Sequence, residues 1–407
     1  MAAKGEQIQF ELKDLPKTYR ERLLCGYSAR AIQNAMLQSL LPDRKIHVLV
    51  ATPSGVSGQG GIDRIMAALD RELHRQGDGK IEARFLSSRG SGSVALSVFY
   101  MIGFCLRMLV ARLAGRADVV HINVSSFGST YRKMVIARCA RLLGIPYLLH
   151  LHGAQYQTFW KENRSFMSRR IRHMFEHADR IVVLGRIWRD FVAARAPGAA
   201  GNIVIVPNAT EVPSLAHVGG GDSVHILFLG RVGERKGVPQ LLDALHGMKP
   251  VKQWRATIAG DGDVEAVRAR SVGLGLAGRI AFPGWVGPNE VASLIASADI
   301  LALPSFAENL PVSVIEGMAS GLAVVTTPVG AVEDIIVDKK TGLLVAPGDV
   351  AALTEALTEL VDDTALRARL GSAAMAVHRE RLELSSFAAS ICRVWHEAAN
   401  GRPGATS

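Results

Sequence analysis

The sequence predicts an α/β protein made of two doubly wound domains that face each other across a cleft. Three observations carry this. The chain has 407 residues, 48% of them hydrophobic, enough to bury two ordinary cores. Short apolar runs alternate with helix-length segments from about residue 45 onward, the pattern of parallel sheets covered on both faces. The alternation stops once, at "PNATEVPSLAHVGGGDS", where two prolines, a triple glycine and small residues read as a linker, and then restarts.

The strands expected before the linker are "KIHVLVAT", "IEARFL", "DVVHINV", "PYLLHLH", "RIVVLG" and "NIVIVP"; those after it are "VHILFLG", "WRATIAG", "RIAFPG", "DILALPS", "LAVVTTP" and "GLLVAP". Beyond the last strand the chain reads as helix nearly to its end, and the final helix is placed to cross back toward the first domain. The first forty-odd residues carry charges throughout and no apolar core, so they read as an arm and not as a secretory signal. The segment "SVALSVFYMIGFCLRMLVARLAG", Ser93 to Gly115, is interrupted by Arg107 and Arg112 and falls short of the roughly twenty apolar residues a span needs. Its leading reading is a buried helix packed on a sheet; the other is an interfacial helix lying on a membrane surface.

Four cysteines, Cys25, Cys105, Cys139 and Cys392, have no metal-ligand or disulfide spacing, which fits a reducing cytoplasm. The formal charge of +10 is concentrated in the first half, with clusters at Arg132, Lys133, Arg138 and Arg141 and at Arg164, Arg169, Arg170 and Arg172. These read either as a solvated helical face or as contacts for an anionic membrane surface or a phosphate-bearing acceptor. Nucleic acid is disfavoured, since no aromatic interleaving or nucleic-acid motif accompanies the arginines.

In doubly wound sheets ligands collect at the carboxyl ends of strands, so the motifs that matter should follow strands. The strongest is "LPSFAENLPVSVIEGMASGLAVVTTPVG", Leu303 to Gly330. Glu308 lies on the loop, Pro311 suits the first turn of the next helix, Glu316 falls inside that helix and Gly321 suits its end. Both carboxylates can face one cleft, beside the free N–H groups at the helix start from Leu310 to Val312. Next, "HILFLGRVGERKG" delivers Arg231 and Lys236 after a strand, two cations suited to a diphosphate leaving group. In "LLHLHGAQ" His152 stands at a strand end, with His150 a competing candidate; Asn123 and Ser125 end the strand "HINVSS". "AGDGD" carries Asp261 and Asp263 in a turn. Finally Gly58-Gln-Gly60-Gly61-Ile-Asp63 nearly matches the dinucleotide fingerprint, but Asp63 occupies the last glycine position and no ribose-binding acid follows clearly in "IEARFLSSRG". An anion at the helix start after Gly60 and Gly61 still makes sense.

With the Gly60-Gly61 loop, His152-Gly153, "GRVGERKG" and the Glu308 and Glu316 pair following one another in that order, the chain resembles family 4 of the glycosyltransferases, the large retaining group with the GT-B fold, over nearly all of residues 45 to 395. The resemblance implies an arm over residues 1–44, an acceptor-binding Rossmann-like domain over 45–213, a nucleotide-sugar donor domain over 214–380, and a closing helix and tail over 381–407. It implies that Arg231 and Lys236 hold the donor diphosphate, that Glu316 binds the ribose, and that Glu308 binds the transferred sugar with backbone amides from Asn309 and Leu310. His152 would sit beside the sugar, and Gly61 would let its loop approach the phosphates. No cofactor and no metal are implied, the nucleotide-diphosphate sugar being a substrate.

The activity so implied is retaining hexosyl transfer to a glycan or lipid-linked saccharide in polysaccharide biosynthesis, in the cytoplasm or peripherally on the inner face of the plasma membrane. Alternatives are a soluble glucan- or sucrose-type synthase, a sugar-nucleotide epimerase, or a non-catalytic glycan-binding relative. "PNATEV" and Asn309 depart from the family pattern, Asn309 standing where a small residue is usual.

Overall fold

Among the described residues, twelve strands form two separate six-stranded sheets, and every pairing within them is parallel. The computed structural model describes residues 45–55, 58, 60–77, 79–90, 96–160, 166–219, 221–249 and 252–401; the arm expected over 1–44, Arg164 and the tail past 401 lie outside them. The first half runs β1 (Ile46–Thr52), α1 (Gly61–Gln76), β2 (Ile81–Ser87), α2 (Ser97–Leu113), β3 (Val119–Val124), α3 (Gly128–Leu142), β4 (Tyr147–Leu151), α4 (Tyr156–Phe159), α5 (Phe166–Glu176), β5 (Arg180–Val183), α6 (Arg186–Arg195) and β6 (Ile203–Ile205). The second runs β7 (Val224–Leu229), α7 (Val238–Gly247), β8 (Trp254–Ala259), α8 (Val264–Gly273), β9 (Ile280–Gly284), α9 (Pro288–Ser297), β10 (Ile300–Leu303), α10 (Val312–Ala319), β11 (Ala323–Thr326), β12 (Leu343–Leu344), α11 (Val350–Asp362), α12 (Thr364–Arg381) and α13 (Leu384–Ala399).

Sheet order is β2-β1-β3-β4-β5-β6 in the first half and β12-β11-β10-β7-β8-β9 in the second. The strand order therefore reverses between β1 and β3, and again between β7 and β10. Loops leaving neighbouring strands at such a point diverge to opposite faces and open a crevice at the carboxyl edge. Central strands β3, β4, β7 and β10 are buried along their whole length, which is why they read as unbroken apolar runs.

The last helix, α13, packs on the first sheet and not the second. Phe387, Ile391 and Trp395 share a core with Ile46, Val48 and Val50 of β1 and Ile65, Met66 and Leu69 of α1. Each such fully buried side chain contributes on the order of 2 kcal/mol. Arg180 Nε adds an ion pair to Glu397 Oε2 at 2.9 Å. The chain crosses between halves beside the linker: Thr210 N–H donates to Leu382 O at 3.1 Å, and Leu384 N–H donates to Thr210 O at 3.0 Å. That linker is less open than its composition suggests, since Asn208, Ala209 and Thr210 are buried.

Two expectations need correction. Pro311 is the N-cap of α10 and not a first-turn residue, so the helix begins one position later. The helix α2 is not buried on a sheet. Only Ser97, Phe104 and Met108 are buried, while Phe99, Leu106, Val110 and Leu113 are 70%, 58%, 66% and 80% exposed. Apart from Arg107 and Arg112 the segment is largely apolar, so its sequence gives no continuous polar face to mark which side meets solvent. No helix among the described residues is long and apolar enough to cross a membrane.

Candidate active site

Loops leaving β1, β3, β4, β7 and β10 converge on a cavity of about 720 Å³ between the two sheets. Gly60, Gly61, His152, Arg231, Lys236, Glu308, Asn309, Leu310 and Glu316 all line it. Residues up to 256 positions apart in sequence thus meet at one place.

In the second half, β7 ends in a turn that closes at Gly237, with φ +70°. A Cβ there would lie 2.0 Å from Pro304 O, so only glycine lets this turn pack against the end of β10. The turn presents Lys236, whose Nζ is 2.5 Å from Glu308 Oε1; Arg235 Nη1 is 3.7 Å from the same oxygen. Glu308 is buried, and Oε1 has no aligned hydrogen bond, so the pair is held by charge alone. The Glu308 loop is fixed from below by Gly330, φ +60°, where a Cβ would meet Glu308 O at 2.2 Å. Arg231 is exposed on the rim, 3.7 Å from Asp261. Glu316 sits mid-helix in α10; burial raises its carboxyl above the usual range, and Arg64 opposes that shift.

In the first half, Asp63 explains the departure from the dinucleotide fingerprint. Its carboxylate is buried and accepts from Ser54 N–H at 3.0 Å, tying the loop after β1 to the first turn of α1. A Cβ on Gly58 would collide with that carboxylate at 2.2 Å. The acid is thus a strap across the loop, and the glycine a fingerprint would put there could not supply it. His152 reaches the cavity, whereas His150 is fully buried beneath it. Asn123 Oδ1 lies 2.8 Å from His152 Nε2. Ser125 also lines the cavity, as does Asp261.

Several residues at the site escaped sequence reasoning. Arg64 Nη2 donates to Glu316 Oε1 at 2.8 Å, joining the halves across the cavity. Its signal was available: it lies one helical turn past Gly60 and Gly61, on the same face. Asn309 was expected only as a backbone donor. Its side-chain Nδ2 also donates to Leu151 O at 2.9 Å, on the strand that delivers His152, while its carbonyl accepts from Trp188 Nε1 and Ala331 N–H. Asn208 Nδ2 donates to Leu310 O at 2.9 Å. Arg186 and Asp334 form a further contact between halves at 2.6 Å. Neither the spacing nor the composition marks Asn208, Arg186, Asp334 or the side-chain contact of Asn309, because each acts by meeting the opposite half.

The arrangement brings four cations, Arg64, Arg231, Arg235 and Lys236, a charge-paired carboxylate, a second carboxylate and the amino termini of α1 and α10 to one cavity. Among the described residues no group of three or more His, Cys, Asp or Glu side chains is arranged to hold a metal ion.

Comparison with known proteins agrees with this geometry. Residues 32–209 match the model of the glycosyl transferase 4-like domain, and residues 223–363 match that of the glycosyl transferases group 1. A phosphatidyl-myo-inositol mannosyltransferase of Mycobacterium leprae is 34% identical over 227 residues, 53% of this chain and 60% of that protein. The chain thus matches less than two thirds of that relative's length. A 2-deoxystreptamine N-acetyl-D-glucosaminyltransferase of Streptomyces fradiae is 28% identical over 360 residues, 82% of each chain. Among solved structures, Anabaena HepE in complex with UDP and glucose superposes with a TM-score of 0.66 at 19% identity, covering 86% of this chain and 98% of that one. The sucrose-phosphate synthase of Thermosynechococcus elongatus superposes with a TM-score of 0.69 at 17% identity, over the same shares. The chain belongs to the family-4 glycosyltransferases, with a 4-like domain ahead of a group 1 domain on the GT-B fold.

Proposed function

We propose that this protein is a retaining hexosyltransferase that takes its sugar from a nucleotide-diphosphate donor and transfers it to a glycan or lipid-linked saccharide. The observation that carries the reading is the convergence of Arg231, Lys236, Glu308 and Glu316 with the Gly60-Gly61 helix start on one cavity. Glycosyl transfer leaves a diphosphate that gains negative charge as the sugar departs. Fixed cations in a cavity shielded from water stabilise that charge far better than solvent does. Lys236 and Arg231 take this part, with the α1 N–H groups beyond Gly60. On donor binding Lys236 exchanges part of its attraction to Glu308 for the phosphate, which frees Glu308 to accept from sugar hydroxyls. Asn309 and Leu310 lend backbone amides, and the free oxygen of Glu316 accepts from the ribose.

With Glu308 engaged by sugar hydroxyls no carboxylate is assigned as nucleophile, so retention is assigned to attack on the face the diphosphate leaves, with the leaving phosphate taking the acceptor proton. The protein's own cations carry the charge neutralisation, and we read the reaction as metal-independent. The HepE complex with UDP and glucose and the named glycosyltransferase relatives support a donor of this class. For the acceptor, the exposed apolar side of α2 and the arginines of the first half support a lipid-linked saccharide met at an anionic membrane surface, on the cytoplasmic side.

The test is a panel of UDP-, GDP- and ADP-hexoses with mass measurement of released sugar, in EDTA. Turnover of one donor, abolished by Glu308→Ala, is expected. Absence of hydrolysis or transfer from every donor, or an unchanged rate in the variant, overturns the reading; recovery only on adding a divalent cation overturns the metal-independent part.

A further inference from the structure

We infer that Asn123 is the positioning residue for His152: it fixes which nitrogen of the cleft histidine carries the proton, while the Trp395-His121-His150 row supplies the fixed ring face against which that histidine rests. This rests on the transferase reading above, with His152, which lines the same cavity, taken to sit beside the sugar as the family resemblance implies.

The four rings form a row under the first sheet's carboxyl edge. His121 and Asn123 alternate with apolar residues on β3, as do His150 on β4 and His152 one residue past its end, and Asn123 pairs in register with His150. Period-two alternation therefore turns all four side chains to one face, the face that α13 covers. Trp395 on α13 is fully buried, and its Nε1–H lies 3.1 Å from His121 Nδ1. An indole nitrogen only donates, so His121 Nδ1 must hold a lone pair. Burial pushes His121 down to about 3, so the ring is neutral at pH 7 and its one proton is on Nε2. That nitrogen faces His150 Nδ1 at 3.2 Å and donates to it, which puts the His150 proton on Nε2. His150 Nε2 is buried without a partner, and the His150 ring lies against His152 with centroids 4.0 Å apart.

The other side of His152 is set independently. Asn123 Nδ2 donates to Ala51 O at 3.3 Å, which turns its Oδ1 to His152 Nε2. Nε2 therefore carries the His152 proton. Burial holds this ring neutral as well, down to about 3, so Nδ1 is left as an acceptor. His152 thus offers the cavity a lone pair, suited to a sugar hydroxyl that donates. A flipped or charged ring would offer a proton instead. Asn123 selects the nitrogen, and the Trp395-His121-His150 row holds the ring face against which His152 rests.

The test uses the full chain labelled with ¹⁵N-histidine. In the wild type at pH 7, the His152 resonances, assigned by their loss in His152→Asn, are expected to show a single neutral Nε2–H form. Asn123→Leu keeps the packed volume and removes the acceptor. It should leave the fold intact by circular dichroism, let His152 populate both neutral forms, and lower kcat about tenfold on the best donor of the panel with its KM unchanged, whereas Trp395→Phe should change the His121 resonances and leave His152 in its Nε2–H form. Asn123→Ala should do the same as Asn123→Leu if that variant fails to fold. A purely structural role would lower stability while leaving kcat per folded molecule and the His152 spectrum as in the wild type, and that result overturns the inference. So does a wild-type His152 that is charged or protonated on Nδ1. Full activity in His152→Ala would instead overturn the role of His152 itself, since the spectrum is read without turnover.

Discussion

Replacing Lys236 with Met separates the charge pair from the chemistry it serves. In the structure Nζ lies 2.5 Å from Glu308 Oε1, with 13% and 8% of the two side chains exposed. At an effective dielectric of about 20, Coulomb's law gives roughly 6 to 7 kcal/mol of gross attraction at that distance, much of it offset by desolvation. What matters is the partner left behind: a buried carboxylate without its cation costs about 3–5 kcal/mol. Arg235 at 3.7 Å and 40% exposed recovers part of this, so Lys236→Met should lose about 2–3 kcal/mol in urea denaturation. Glu308→Gln in the same chain removes the stranded charge and should restore stability to within about 1 kcal/mol of the wild type, a coupling that a double-mutant cycle reads directly. Affinity for UDP, measured by calorimetry, should fall on the order of 10- to 100-fold in the single variant, the worth of a charged hydrogen bond to phosphate. If Lys236→Met is as stable as the wild type and the two substitutions add without coupling, the pairing argument is wrong.

Other outcomes follow from separate features. Acidification should destabilise the fold: His121 and His378 are neutral when folded, held down to about 3 and about 4 by burial, but take up protons near 6.5 when unfolded, so stability is level above pH 7 and falls toward pH 4. Each should cost about 2 kcal/mol by pH 5, and a Tm unchanged between pH 7.5 and 5 would contradict their burial. Gly237→Ala forces a Cβ into Pro304 O and a left-handed backbone, so it should lower Tm by at least the equivalent of about 2 kcal/mol and abolish UDP binding; wild-type behaviour would refute the tight turn. Arg64→Ala removes a half-exposed partner, so stability should change by less than about 1 kcal/mol, while the Glu316 carboxyl rises further and UDP affinity weakens severalfold as pH is lowered. Phe99→Asp with Val110→Asp should abolish flotation with anionic vesicles and leave donor hydrolysis unchanged; equal flotation removes α2 from the membrane reading.

All twelve strands were legible in the sequence: the central ones, buried on both faces, are apolar along their length, and the partly exposed β2, β6 and β9 were short apolar-rich runs set between helices or turns. The polar site residues were legible for a related reason: Arg231, Lys236 and Glu308 lie on loops that follow strands, where charge has no structural use unless it faces a cleft, and the neutral His152 stands at a strand end beside them. Contacts that depend on the two halves meeting were not. Arg64, Asn208 and Asn309 each satisfy a partner more than 100 positions away, and no local pattern records the docking that joins them. The exposure of α2 was hidden for the opposite reason: an apolar helix reads the same whether protein or something else covers it. Asp63 looked like a lost glycine until its bond to Ser54 N–H gave it a purpose.

The chain passes between the halves twice, at Thr210 and at Leu382 to Leu384, and the two passes are hydrogen-bonded to each other. Such a joint acts as a single pivot and not as two separated struts, so the cleft can widen only by turning about it. Everything on the far side of that pivot behaves as a clasp. The Arg64–Glu316, Asn309–Leu151 and Arg186–Asp334 contacts must part together when the halves swing, while α13 travels with the first half. Entry of a donor and departure of a product are then one motion with one lever arm, and the small polar contacts farthest from the joint set how readily it moves.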